Sequence, residues 1–344
     1  DKTIIKGDVA EKSTGELSVG AGFSSSAGAL ADIKLRERNL LGRGLDFRVS
    51  LSLASERQSF DIGVTEPYFL GKELAAGIDG FHTQSNVISE FQNVATGARF
   101  RLGYDLSEYL RHSVRYTVRE DDVSDVDSGA SEFIQTEVGV TLSSIIGHDL
   151  SYDRRNSKIS PTAGYYLLLS NDMAGLGGEV NYFKTRVKAQ YHYSIWEGWV
   201  ASVKGEIQNI FGFGDDIRVS DRLFIGGDKL HGFEPGGIGP RDLSTDDALG
   251  GKQSYTATAE LKFPLGLPKQ FGVTGVVFTD VGTLTGLDFE SPNIVDTGSI
   301  RWAAGVGLGW NSPFGPIRID FSQPIIKEDF DVVETVRFNF GTRF

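Results

Sequence analysis

The chain has 344 residues and a net charge of −12, which argues against nucleic-acid binding, since that rests on Lys and Arg against phosphates. It contains no cysteine, so disulfides, thiolate metal ligands and cysteine nucleophiles are all excluded. No apolar run of about 18 residues marks a transmembrane helix, no charged start with an apolar centre marks a signal peptide, and glycine, 43 of 344 against roughly 7% in average usage, points to turns and curved strands.

Period-two alternation runs from end to end, the mark of strands with one apolar and one polar face. In 14–24, Leu17, Val19, Ala21 and Phe23 alternate with Ser18, Gly20 and Gly22. In 44–54, Leu45, Phe47, Val49, Leu51 and Leu53 oppose Asp46, Arg48, Ser50 and Ser52. In 110–120, Val114, Tyr116 and Val118 alternate with Arg115, Thr117 and Arg119, and in 180–195 Val187, Ala189, Tyr191 and Tyr193 alternate with Lys188, Gln190, His192 and Ser194. In 253–264, Tyr255, Ala257, Ala259 and Leu261 oppose Thr256, Thr258, Glu260 and Lys262. With further segments near 30–38, 58–66, 74–84, 92–105, 134–150, 164–172, 199–211, 271–280, 299–310, 315–323 and 333–344, the reading gives about sixteen strands.

The connections alternate as well. Those after even strands are short and turn-like, as at Asn39–Arg43, Glu66–Lys72, Asp153–Ala163 and Asn311–Pro316; those after odd strands are longer and polar, as at Glu120–Glu132 and Val281–Ser299. An even strand number with short turns on one side and long loops on the other predicts an all-β, antiparallel, 16-stranded transmembrane β-barrel with both termini on the periplasmic, short-turn side. Tyr68, Phe69, Tyr109, Trp196 and Trp199, near strand ends, suit interfacial girdles. A soluble sandwich, with its apolar faces inside, is the alternative.

Between the eleventh and twelfth strands lies a segment of roughly forty residues, where most connections have about 4 to 6. It contains Ile225–Asp242, IGGDKLHGFEPGGIGPRD. Leu223, Phe224, Ile225, Leu230, Phe233 and Ile238 give it apolar groups to bury, unlike a solvated linker. A barrel this wide encloses a lumen that ordinary side chains do not fill, and the segment is expected to fold into it.

Motifs of enzyme chemistry are missing. His82, His112, His148, His192 and His231 have no metal-ligand spacing, the glycines of GVGLGW (Gly305, Gly307, Gly309) are spaced wrongly for a nucleotide fingerprint, and Asp121, Asp122, Asp125 and Asp127 read as a solvated surface loop, not a calcium loop. No catalytic residue, cofactor or metal site is expected.

The KLHGF tip (Lys229–Phe233) followed by Gly239-Pro240-Arg241, the turn Asn311–Pro316 with Phe321–Pro324, the Phe278–Gly282 stretch and Glu66-Pro67-Tyr68, in this order, resemble the Omp85 superfamily of outer-membrane proteins over roughly 12–344. The resemblance implies a barrel over 13–344, with 1–12 as the remnant of a last periplasmic POTRA domain or its linker. It implies that the long loop, the family's loop 6, carries the motif Leu230, His231, Gly232 and Phe233 into the lumen and engages inner-wall carboxylates at Glu260 and Asp280. Histidine stands at 231 where the family pattern has arginine; it lacks the guanidinium fork and titrates near neutrality, so a weaker, pH-dependent latch is expected.

The last strand, ending in Phe344, resembles the β-signal of outer-membrane proteins. The resemblance implies a lateral seam formed by Gly15, Leu17, Val19 and Gly20 with Phe338, Phe340, Gly341 and Phe344. The function it implies is folding and insertion of outer-membrane proteins in Gram-negative bacteria, without covalent chemistry. The implied partners are unfolded outer-membrane proteins, accessory lipoproteins and the lipid bilayer. Alternatives are a secretion pore or autotransporter-assembly relative, and a porin-like passive channel.

Overall fold

The computed structural model describes residues 13–86, 91–313 and 315–341. Sixteen strands, antiparallel and joined in sequence order, close into one barrel. They are β1 Gly15–Ser24, β2 Gly28–Leu40, β3 Leu45–Ala54, β4 Arg57–Glu66, β5 Leu74–Ser85, β6 Gln92–Asp105, β7 Leu110–Ser124, β8 Gly139–Asp153, β9 Gly164–Gly178, β10 Tyr182–Trp196, β11 Trp199–Gly212, β12 Gln253–Pro264, β13 Val273–Thr285, β14 Arg301–Ser312, β15 Gly315–Ile326 and β16 Val336–Gly341.

The orientation of the faces decides the environment. Inward positions carry ion pairs that bridge strands: Arg48 and Arg101 both reach Asp79, and Arg115 reaches Asp149 and Asp172 at 2.6 Å each. Outward positions carry Ile33, Leu35, Phe60, Ile62, Phe100 and Leu102, all exposed. A soluble sandwich needs the reverse, so the apolar belt is the surface that lipid covers.

Three sequence expectations are corrected. A helical turn, α1 Glu132–Gln135, occupies the start expected for the eighth strand, which begins at Gly139. Val333–Glu334 is not part of β16 but pairs with Gly232–Phe233 of the long loop. Asp121 is not in a solvated loop: it lies in β7, buried, and accepts hydrogen bonds from Arg119 at 2.8 Å and Ser143 at 3.1 Å. The cause is common to these cases. Beyond the lipid belt the chain meets water or packed loops on both faces, so alternation no longer marks where a barrel strand starts or stops.

The long loop, 213–252, enters the lumen. Leu223, Ile225, Leu230, Phe233 and Ile238 are buried in one cluster with the inward side chains Ile145, Tyr182, Ile210, Leu284 and Ala303. Burying five such side chains is worth on the order of 10 kcal/mol. Two small ladders pin the backbone: Gly232–Phe233 with Val333–Glu334, and Arg241–Asp242 between Asp247–Ala248 and Ile294–Val295.

Closure is uneven. Ten register pairs join β1 to β2, from Gly15↔Glu37 to Ser24↔Gly28; among the described residues only three join β1 to β16, namely Gly22↔Gly341, Phe23↔Phe340 and Ser24↔Asn339. Gly341 is at φ +137°, and a Cβ there would lie 2.8 Å from Gly22 Cα, so the close approach needs glycine. Cysteines replacing the register partners Phe23 and Phe340 are expected to form a disulfide on oxidation. Cysteines at Leu17 and Phe338 are not: Phe338 is level with Ser25, about 27 Å along the strand from Leu17. In a chain without native cysteine, thiol counting and gel mobility read this out, and the opposite pattern would refute the register.

Candidate functional site

The tip of the long loop meets the inner wall at β13. The backbone N–H of His231 lies 3.3 Å from Asp280 Oδ2 and the ring Nδ1–H donates to the same oxygen at 2.7 Å, while Nε2 lies 3.9 Å from Asp320 Oδ2 on β15. The ring rests against Phe278, centroids 4.6 Å apart. Both carboxylates are shut away from solvent, Asp280 at 0% and Asp320 at 1%, and each keeps one buried oxygen with no partner among the described residues. An imidazole offers at most two N–H donors where a guanidinium offers five, which explains why these oxygens are left unmet. Gly232 follows at φ +89°, and a Cβ there would stand 3.1 Å from Ala303 and 3.4 Å from Pro324. Only glycine combines that backbone with that contact.

Asp320 is held in turn by Arg318, whose Nε donates to it at 2.7 Å and whose Nη2 donates to Glu260 at 3.0 Å. Of the two wall carboxylates expected from sequence, Asp280 therefore touches the loop directly, and Glu260 joins the network through Arg318. Leu230 and Phe233, both fully buried, flank His231 as apolar anchors.

The same loop reaches the seam. Arg337 of β16, 2% exposed, donates to Asp228 of the loop at 3.1 Å, to Ser26 in the β1–β2 turn, and to Glu334. One guanidinium thus gathers the loop, the first hairpin and the last strand. Nearby, Arg301 of β14 makes a two-pronged pair with Asp331, 2.9 Å on each prong, and fixes the 327–335 segment that runs into β16.

The residues expected at the seam divide. Phe340 and Gly341 pair with Phe23 and Gly22, and Phe338 carbonyl accepts from Ser25 N–H at 3.0 Å. Gly15, Leu17, Val19 and Gly20 lie on the stretch of β1 that has no β16 partner among the described residues, with Leu17 67% and Val19 72% exposed. Phe344, like 1–12, lies outside the described residues. Sequence reasoning missed Asp320, Arg318 and Arg337. For the first two a signal existed, because alternation in Ile317-Arg318-Ile319-Asp320-Phe321 puts both charges on the lumen face.

Over the loop-side mouth, α1 and its flanks pack on the long loop and on the connection between β13 and β14. Ser131 donates its hydroxyl to Asp242 at 2.7 Å, Phe133 stacks on Phe289 at 4.1 Å, and Glu137 accepts from Val219 N–H at 3.1 Å. Burial raises the Glu137 carboxyl above its ordinary range, opposed by the Val219 hydrogen bond and by Arg218 and Arg222.

The sequence profile described as the Omp85 superfamily domain matches residues 39–344. The outer membrane protein assembly factor BamA of Neorickettsia risticii is 31% identical over 347 residues, taking in 99% of this chain and 46% of that protein. That of Nitratidesulfovibrio vulgaris is 25% identical over 346 residues, 99% of this chain and 43% of that protein. The chain spans about half the length of these relatives. The crystal structure of BamA from Haemophilus ducreyi lacking POTRA domains 1–3 aligns with a TM-score of 0.88 over 97% of this chain and 71% of that one, at 22% identity; it shares the fold.

Two outcomes follow from the geometry. His231→Ala should lower the hydrogen-exchange protection of the Leu230–Phe233 amides by roughly 1–3 kcal/mol, the cost of leaving buried acceptors unmet. His231→Arg should raise it by reaching the orphan oxygens of Asp280 and Asp320; no gain from arginine would mean the pocket is shaped for imidazole. For Glu137, a folded pKa above the unfolded value means the folded state binds the extra proton. Its contribution is present below the ordinary 4.5 and is lost as pH rises through the raised value. Protection around Val219, corrected for intrinsic exchange, should fall as pH rises above 4.5, and Glu137→Gln should flatten that dependence.

Proposed function

The chain belongs to the Omp85 superfamily, and from that premise we propose that it folds and inserts other β-barrel proteins into the bacterial outer membrane through the seam between β1 and β16. The observation that carries the reading is the three-pair closure at Gly22–Ser24. It leaves the Gly15–Ala21 edge of β1 without a β16 partner among the described residues, and an unpaired edge is a template for another strand. The incoming strand would pair with that edge, and each backbone group it satisfies offsets several kcal/mol of unmet hydrogen bonding in lipid. Substrate folding then supplies the driving force, and no covalent step is required.

On this reading the termini and short turns face the periplasm. The partners are unfolded outer-membrane proteins, the bilayer, and accessory lipoproteins that dock through POTRA domains ahead of the barrel. A passive channel is disfavoured by the loop, which lies in the lumen and bonds to β7, β13 and β16.

The test uses the Phe23→Cys, Phe340→Cys pair in the whole protein, in proteoliposomes fed an unfolded barrel substrate. Oxidation is expected to stop assembly and reduction to restore it. Full assembly by the oxidised protein would refute seam opening and leave membrane perturbation as the account.

A further inference from the structure

On the wall away from the seam, the lipid face is interrupted by a line of polar side chains. Inward positions of this region are fixed by ion pairs, Arg101 on β6, Arg115 on β7, Asp149 on β8, Asp172 on β9 and Arg186 on β10. The alternate positions Tyr104, His112, His148, Asn171 and Thr185 therefore face outward. By register Tyr104 pairs with His112, and His148 with Asn171, which pairs with Thr185; His112 and His148 sit diagonally across β7 and β8, their own partners being Leu150 and Val114. Polar groups on a lipid face are costly and mark function when they persist.

Their hydrogen bonds run in a definite direction. Thr185 Oγ1 donates to Asn171 Oδ1 at 2.9 Å, so the Asn171 amide nitrogen is what meets His148 Nε2, at 3.0 Å. His148 Nε2 is then the acceptor and its proton sits on Nδ1. Tyr104 hydroxyl meets His112 Nδ1 at 2.7 Å; a phenol is the stronger acid and donates, so the His112 proton sits on Nε2. Each chain ends in an imidazole N–H with no acceptor among the described residues: His148 Nδ1 is buried and unpaired, and His112 Nε2 makes no hydrogen bond. The two rings meet edge to face, centroids 5.4 Å apart. They line a groove of about 460 Å³ whose remaining walls include Val114, Ile146, Met173 and Phe183.

The position matches the ligand class. His112 lies two residues inward of Leu110, beside the girdle formed by Tyr109, Tyr152 and Tyr165, which is about 5 Å along the membrane normal for a tilted strand. Exposed Arg154 sits over the Tyr109 ring at 4.6 Å, at the water side of that girdle. From water to hydrocarbon the order is a cation, tyrosines, the unspent N–H of His112 beside the His148 ring, then an apolar groove. The geometry points to a binding site for one diacyl phospholipid of the leaflet on the short-turn side: Arg154 takes the phosphate, His112 Nε2–H donates to an ester carbonyl with the His148 ring packed beside it, and an acyl chain lies along Met173 and Phe183. Neither the seam nor the long loop is needed for this.

The experiment is native mass spectrometry of the delipidated barrel titrated with dioleoyl phosphatidylethanolamine. One saturable lipid is expected on the wild-type protein. It should bind at least about tenfold more tightly than the dialkyl-ether analogue with the same headgroup, and about tenfold more tightly than it binds the His112→Leu, His148→Leu variant, the size of one or two net hydrogen bonds. The ether comparison uses wild-type protein, so it stands even if the variant does not fold. Absence of a saturable lipid, equal affinity for the ether lipid, or displacement by inorganic phosphate would each overturn the assignment; unchanged affinity in a variant that retains its heat-modifiable barrel would do so too.

Discussion

In the hydrocarbon of a bilayer there is no water to meet a backbone N–H or C=O, so every spanning strand must be paired on both sides. That constraint makes a sheet of this length close on itself, and it makes the closing pair the point on which the structure turns. Thirteen of the first fifteen strands pair over their length with both sequence neighbours; among the described residues the last strand has five register pairs to β15 and three to β1. Among the described residues the pairs to β16 lie at the Gly22–Ser24 end of β1 and none lies at the Gly15 end.

The long loop braces the paired side. Within one short run, Asp228 bonds Arg337 at the seam, His231 bonds Asp280 on β13, and Gly232–Phe233 form a ladder with Val333–Glu334 just before β16. Ser26, in the turn that begins β2, is bound to the same Arg337. The loop and the seam are consequently one mechanical unit: moving the tip away from the wall removes contacts that hold both ends of the closing pair. A lumen filled by the chain itself also replaces the missing core of a wide barrel, since its inner ring of charges is too far across to pack.

Much of this was legible in the sequence because a lipid-facing strand obeys one strong rule. Alternation placed all sixteen strands and showed that the charges of β3, β7 and β10 share a face. The rule is silent above the lipid, where α1 took the expected start of β8 and Asp121 continued β7. It is also silent about which inward charges meet. Glu260 on β12 and Arg318 on β15 come together only through the barrel's stagger and curvature, which no local spacing encodes; hence Glu260 was expected beside His231 and stands behind Arg318 instead. Asp280 was named from a resemblance, not from periodicity.

The magnitudes indicate what the histidine at 231 does. Five buried apolar side chains of the loop contribute on the order of 10 kcal/mol, whereas a hydrogen bond nets about 1–3 kcal/mol even with a charged partner. Retention of the loop in the lumen is thus the work of Leu223, Ile225, Leu230, Phe233 and Ile238, and their nonpolar contacts tolerate small sliding. The His231–Asp280 bond, with directional geometry, selects one position within that range. A side chain with fewer donors than arginine still selects it, because Asp280 Oδ2 accepts both the ring and the backbone N–H of the same residue. What it gives up is a hydrogen bond to Asp320, which stays 3.9 Å from Nε2, so the ring is hydrogen-bonded to β13 and the closer hold on β15 passes to Gly232, packed against Pro324.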